Sequence, residues 1–183
     1  MSLRRGFEHY AGFTLIEVLV TFLIIGIGLL GLAALQTSTV NEQFEAYQRV
    51  QVTSILDDMS QRIRANPASA KAGDYTGEVT TPYGQQPLAT CSGTPGASRD
   101  LCEWNRIVAG AAATDGLTAQ PLRAGGCIDM VVLSGPNGET TIRVAVAWQG
   151  MTASIVPGDD CGIGDYGEND GFRRVAFRDV VIR

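Results

Sequence analysis

From Phe13 to Leu35 the chain runs 23 residues in which Glu17 is the sole ionisable side chain and no proline occurs. Wound as a helix at ~1.5 Å per residue, that run is ~35 Å long, which exceeds the ~30 Å hydrocarbon core of a bilayer. So long an apolar run predicts a transmembrane helix rather than the core helix of a soluble domain. From Gln36 to Asn66 the period persists while the composition changes. Val40, Phe44, Tyr47, Ile55, Met59 and Ile63 recur at near three- and four-residue steps, which predicts an amphipathic helix with one face in need of a partner. Arg62 and Arg64 suit a helix C-terminus, and Asn66-Pro67 stops it. Continuous helix from Phe13 to Ala65 would be ~80 Å long, so its second half has to stand outside the bilayer.

Beyond the helix the pattern breaks up. Residues 68–97 are rich in Gly, Pro, Ser and Thr and read as a long loop with at most a short strand around Glu78–Thr81. Ser98 can cap a short helix reaching about Ala112, with Leu101, Trp104, Ile107 and Val108 on one side. The β signal comes late. Ile128–Leu133, the turn Ser134-Gly135-Pro136-Asn137-Gly138, and Thr140–Trp148 read as a hairpin, and Arg174–Ile182 as a further strand. In the second strand Ile142, Val144, Val146 and Trp148 alternate with Arg143, Ala145 and Ala147, so one face packs inward. The expected fold class is α+β, with a long N-terminal helix packed on a small antiparallel sheet. Its parts are a leader at 1–12, a transmembrane half at 13–35, an amphipathic half at 36–66 and a globular domain at 67–183.

At 183 residues the chain has room for one ordinary domain and an appended element. A net charge of −5 with no basic stripe after Arg64 excludes a nucleic-acid surface. Four cysteines, Cys91, Cys102, Cys127 and Cys161, are not arranged as CxxC pairs, and the lone histidine, His9, precedes the apolar run. Disulfides fit that set better than zinc and place the domain in an oxidising compartment. Three connectivities are open; Cys91 with Cys102 and Cys127 with Cys161 is the simplest. Gly162-Ile163-Gly164-Asp165-Tyr166-Gly167 matches G-x-G-x-x-G, but it follows Asp159-Asp160-Cys161 rather than a strand and opens no helix. The carboxylates Asp159, Asp160, Asp165, Glu168 and Asp170 read as a solvated acidic turn, with a calcium loop as the alternative. No cofactor or small-molecule substrate is indicated.

Arg4 and Arg5 precede the apolar run with no comparable cluster just after it, which keeps the N-terminus cytoplasmic and sends the remainder to the periplasm. The polar leader ends in Gly12, and the run opens at once as Phe13-Thr14-Leu15-Ile16-Glu17. The string Gly-Phe-Thr-Leu-Ile-Glu resembles the prepilin peptidase motif of type IV pilins and type II secretion pseudopilins. That resemblance implies cleavage between Gly12 and Phe13, N-methylation of Phe13, and retention of the helix as anchor and assembly element. A glycine at 12 lets a peptidase approach the backbone closely. A carboxylate on a membrane helix costs ~2.5 to 3.5 kcal/mol near the bilayer centre. A first-turn glutamate favoured by the helix dipole is one account of Glu17. The resemblance implies another: as the fifth residue after the cut, Glu17 pairs with the free amine of a neighbouring subunit. Gly26, Gly28 and Gly31 permit either close helix packing or local unwinding. Where many major pilins carry a helix proline, this chain has Ala34.

Ala46-Tyr47-Gln48-Arg49 and the stretch Asp57–Pro67, with the strand ending Trp148-Gln149-Gly150, resemble more narrowly the V-type minor pilins, or pilus modification proteins. The implied role is structural: a minor pilin that primes or modifies type IV pilus assembly in the inner membrane. The implied partners are the prepilin peptidase, other minor pilins, the major pilin, the assembly platform and a tip adhesin. A minor pseudopilin of type II secretion is the alternative. Loss of the leader removes His9, so histidine-assisted catalysis is excluded and no enzyme is expected.

Overall fold

The computed structural model describes residues 12–77, 81–110, 122–133, 135 and 138–183. The leader through residue 11 with Arg4, Arg5 and His9, most of the expected strand at Glu78–Thr81, the helix end expected at Ala112, and Ser134, Pro136 and Asn137 of the hairpin turn lie outside the described residues. The chain divides into two compact units, the first ending at Gln43 and the second running Phe44–Arg183.

Helix α1 runs unbroken over Leu15–Ala65. No proline interrupts it, Glu17 in its first turn and Arg62 and Arg64 in its last complement the helix dipole. Thr21, Thr37 and Thr39 return their hydroxyls to carbonyls three or four residues back, so these polar groups do not demand water. Within the second unit α1 buries Val52, Leu56, Met59, Ser60 and Ile63. That stripe corrects the expected face: Val40, Phe44 and Tyr47 are exposed, and only its lower members Ile55, Met59 and Ile63 meet the core. The period was legible, but the phase is set where the sheet lies. Ser60 needs no external partner, because its hydroxyl donates to Leu56 O at 2.6 Å.

The helix breaks at Asn66, whose φ of −123° and ψ of 64° are not helical. Pro67 then opens a second helix, α2 (Pro67–Ala72), where a loop was expected. Proline at a first helical position is a start signal as well as a stop, because the missing N–H would have no partner there. Gly73 closes α2 in the left-handed conformation at φ 85°. Helix α3 (Ala97–Val108) has Gly96 at its N-cap, so the expected capping role of Ser98 is not observed; Ser98 lies inside the first turn.

Arg62 ties the end of α1 to α3. It donates to Asp58 at 2.8 Å, Asp100 at 3.2 Å and Glu103 at 2.7 Å. Tyr75 donates to Asp100 at 2.6 Å, and burial followed by that contact pushes the phenol up to about 12. The group is fully connected, which a partly buried polar cluster requires.

Strands β1 (Ala124–Val132), β2 (Thr140–Gln149) and β3 (Arg173–Ile182) form an antiparallel sheet in the order β1-β2-β3. Strand β1 starts four residues ahead of the expected Ile128 and carries an irregularity between Met130 and Val132. The β2–β3 register is unbroken from Thr140↔Ile182 to Gln149↔Arg173. Ile142, Val144, Val146 and Trp148 join Val52, Leu56, Met59 and Ile63, with Trp104, Val108, Val180 and Ile182, in one core. Trp104 lies close on Gly126, where an added methyl group would fall 2.7 Å from the ring Cζ3 and closer still to Cη2. The other face of β2 is not left to water. Ala145 and Ala147 are buried under Cys161 and Tyr166, which makes the β2–β3 connection a third layer.

Candidate functional site

The residues singled out at the N-terminus fall together at the start of the first unit. Gly12, Phe13 and Thr14 precede α1, and Thr14 takes the N-cap position: its hydroxyl accepts from the Glu17 N–H at 3.3 Å, and its carbonyl from the Glu17 and Val18 N–H groups at 3.1 and 3.3 Å. Thr14-x-x-Glu17 is the spacing of a capping box, a signal present in the sequence but overlooked beside the cleavage motif. Phe13 is 84% exposed. A side chain added at Gly12 would meet nothing within 4 Å, and the same holds at Gly26, Gly28 and Gly31. Packing among the described residues therefore asks for glycine at none of them.

The first stretch of α1 is long and apolar enough to cross a membrane, and no part of that apolar window is buried by the other described residues. Large side chains such as Leu15, Phe22, Ile27 and Leu30 stand bare. Lipid or other helices have to cover such a surface, since soluble monomers rarely leave a patch of that size to water.

In the second unit Cys91 is joined to Cys102 and Cys127 to Cys161. The second bridge crosses from β1 to the β2–β3 connection and brings the G-x-G-x-x-G string against the sheet. Its glycines serve the backbone: Gly162, Gly164 and Gly167 have φ of 69°, 85° and 89°, and a side chain at Gly162 would fall 2.8 Å from Ala147 and from the Tyr166 ring. Tyr166 donates to Ala147 O at 3.0 Å, and burial with Asp165 nearby pushes its phenol up to about 12.

The acidic residues of this connection do not converge; among the described residues there is no group of three potential metal ligands. Asp170 accepts from the Gly164 N–H at 2.9 Å and Asp159 from the Cys161 N–H at 3.0 Å. The loop carbonyls that a cation would seek already have one. Buried Arg173 donates Nη1 to Asp159 O at 2.5 Å and Cys161 O at 2.8 Å, and Nη2 to Pro157 O at 3.0 Å, while its Nε lies 3.5 Å from Asp170 Oδ2. Nothing in the sequence marked Arg173, because an arginine at a strand start is ordinarily solvated.

Comparison with protein-family models gives two abutting matches. Residues 9–33 match the prokaryotic N-terminal methylation motif, and residues 34–107 match the family described as type IV pilin Tt1218. The chain carries the methylation motif followed by a type IV pilin family domain. Together the two matches span the N-terminal junction, α1, α2 and nearly all of α3, and they stop before the sheet. No curated protein and no solved structure matches the chain. The pilin fold, a long apolar N-terminal helix with a three-stranded antiparallel sheet, is the one observed. One long apolar helix among the described residues, together with the motif, fits a single-pass membrane-anchored pilin, and the motif implies processing by prepilin peptidase and assembly with other pilins.

Proposed function

We propose that this pilin is a minor subunit of the type IV pilus, cut between Gly12 and Phe13, N-methylated at Phe13, and used to initiate or modify assembly. The observation that carries the processing step is the junction itself. Among the described residues none comes within 4 Å of a side chain added at Gly12, which precedes a capped helix, so its bare backbone is open to a peptidase that grips extended chain. Glu17 is the only carboxylate on the apolar segment. Once cleavage frees the Phe13 amine of one subunit, Glu17 of its neighbour is the group that neutralises it, and this pairing selects the axial stagger of docking helices. Two disulfides in the second unit, and Arg4 and Arg5 ahead of the apolar run, support an inner-membrane protein whose C-terminal unit lies in the periplasm. The minor-pilin role rests on the likeness of Ala46–Arg49, Asp57–Pro67 and Trp148–Gly150 to the V-type subunits.

Mass spectrometry of the N-terminus of protein purified from its native membrane tests the processing step. Methyl-phenylalanine at residue 13 is expected, and Gly12→Leu should leave the precursor uncut; an intact leader on assembled protein overturns the reading. A deletion strain tests the apparatus. Loss of piliation with secretion intact supports a minor pilin, whereas lost secretion with normal piliation makes the chain a pseudopilin.

A further inference from the structure

On the sheet face away from the main core, the strand registers set up rows: Cys127–Ala145–Phe177, Asp129–Arg143–Asp179 and Val132–Thr141–Val181. Cys161 and Tyr166 close the end of this face that holds Ala145 and Ala147. The outer β3 side and the other end are open, with Phe177 53%, Val181 49% and Val132 37% exposed. Between these apolar groups Arg143 is held rigidly. Its Nε and Nη2 donate to the two oxygens of Asp179 at 2.8 and 3.0 Å, and its guanidinium lies 4.3 Å over the Phe177 ring. An arginine and an aromatic ring fixed among bare aliphatic groups make the composition of an interface centre, not of a solvated sheet.

Beside this platform lies a cleft of about 420 Å³ between β1 and the segment 158–161, lined by Asp129, Asp159 and Asp160 as well as Arg143. Asp159 comes no nearer to Arg143 than 4.0 Å. Burial, then the charge of Asp159, holds the Asp129 carboxyl above its usual range against the pull of Arg143, and Asp160 adds to the effect. Asp129, Asp159 and Asp179 thus act on the one guanidinium of Arg143 and Asp160 on Asp129, and since Arg173 beneath the 157–161 segment lies against Asp170, the cluster stays net negative.

We propose that this open half-face docks a partner protein presenting a lysine or arginine next to an apolar side chain. The cation enters the cleft between Asp129 and Asp159–Asp160, and the apolar group seats on Phe177, Val181 and Val132. The charge selects this occupant. Anionic lipid and nucleic acid are repelled by it, and a second copy docked face to face would set acidic row against acidic row. The inference rests on the sheet and the segment 158–161 and holds whichever filament the chain enters.

Photo-crosslinking in cells producing the full chain tests it, with benzoylphenylalanine replacing Val181 and, as a control elsewhere on the second unit, Leu88. Position 181 is expected to give a discrete adduct with a different protein, whose crosslinked peptide holds a lysine or arginine within a few residues. Asp129→Lys with Asp160→Lys should lower that yield about tenfold, with chain abundance and both disulfides unchanged. Reversing the partner's basic residue to aspartate should restore it in the reversed variant. No adduct at 181, an adduct with lipid alone, one joining two copies of this chain, or one indifferent to the charge reversal overturns the proposal. Should the double reversal reduce chain abundance, Asp129→Asn with Asp160→Asn decides the same question, with a fall in yield expected and an unchanged yield overturning it.

Discussion

Arg173 is the residue whose removal should most damage the second unit without touching its apolar core. Arg173→Leu keeps a comparable apolar stem and deletes the guanidinium. Three carbonyls, of Pro157, Asp159 and Cys161, then lose their donor, and Asp170 loses the nearest cation. A hydrogen bond to a charged group is worth about 1.5–3 kcal/mol, but the three share one donor group and are not additive. Breaking a buried ion pair from one side costs about 3–5 kcal/mol. The loop can relax toward water, yet Cys161 holds it to β1, so only part of the loss is recovered. A total of about 3–5 kcal/mol follows, a large share of the ~5–15 kcal/mol that holds a domain together. Urea titration of the full chain in detergent, followed by the fluorescence of Trp104 and Trp148, both in the core, reads this directly. Arg173→Lys retains the charge but not the planar fork and should recover only part of the loss. A shift equivalent to less than about 1 kcal/mol for Arg173→Leu would refute the view that this arginine organises the connection.

Gly126→Ala drives a methyl group into the Trp104 ring and should cost about 1–3 kcal/mol in the same titration, with a change in tryptophan emission. Replacing Cys127 and Cys161 by serine opens a loop of sequence separation 34, against 11 for Cys91 and Cys102. Chain entropy then predicts losses of about 3.8 and about 2.8 kcal/mol, so the first pair should matter more; the reverse order would count against the entropic account. Hydrogen bonds from Arg99 and Arg62 hold the Glu103 carboxyl below its usual value. For Glu45, burial raises the carboxyl, but Thr152, Arg174 and the Met151 amide outweigh it and the net direction is downward. Both folded values lie below the unfolded ones, so this stability is present above pH 4.5 and is lost as the pH falls through the folded values. Glu103→Gln should flatten the decline of the urea midpoint below about pH 5, and a slope equal to the parent's would exclude the ion pair as its source.

The helix was legible because its signal is long: 23 residues with one ionisable group leave little to arbitrate, and the amphipathic half follows in the same period. Its phase was not legible. Phe44 and Tyr47 look as apolar as Val52 and Leu56, and only the position of the sheet decides which pair is buried. In β2 the large residues announced the inner face, whereas Ala145 and Ala147 carry no signal of burial; their cover arrives from Cys161 and Tyr166, far along the chain. The glycines of the 162–167 string stand out as a motif, but their use in fitting a loop against Ala147 needed coordinates. At the N-terminus the order reverses. The cleavage string stood out by pattern, while the capping role of Thr14 was written in the same six residues and passed over.

The Cys127–Cys161 bridge also governs how the unit responds to load. Fully drawn out, the 34 residue steps between those cysteines would span about 115 Å at ~3.4 Å each. A covalent link withholds that length from any pull applied at the ends of the chain, and β2 lies wholly inside the withheld stretch. Tension passed along a filament can therefore peel β3 or fray α1, while the central strand stays out of reach until the bridge is reduced.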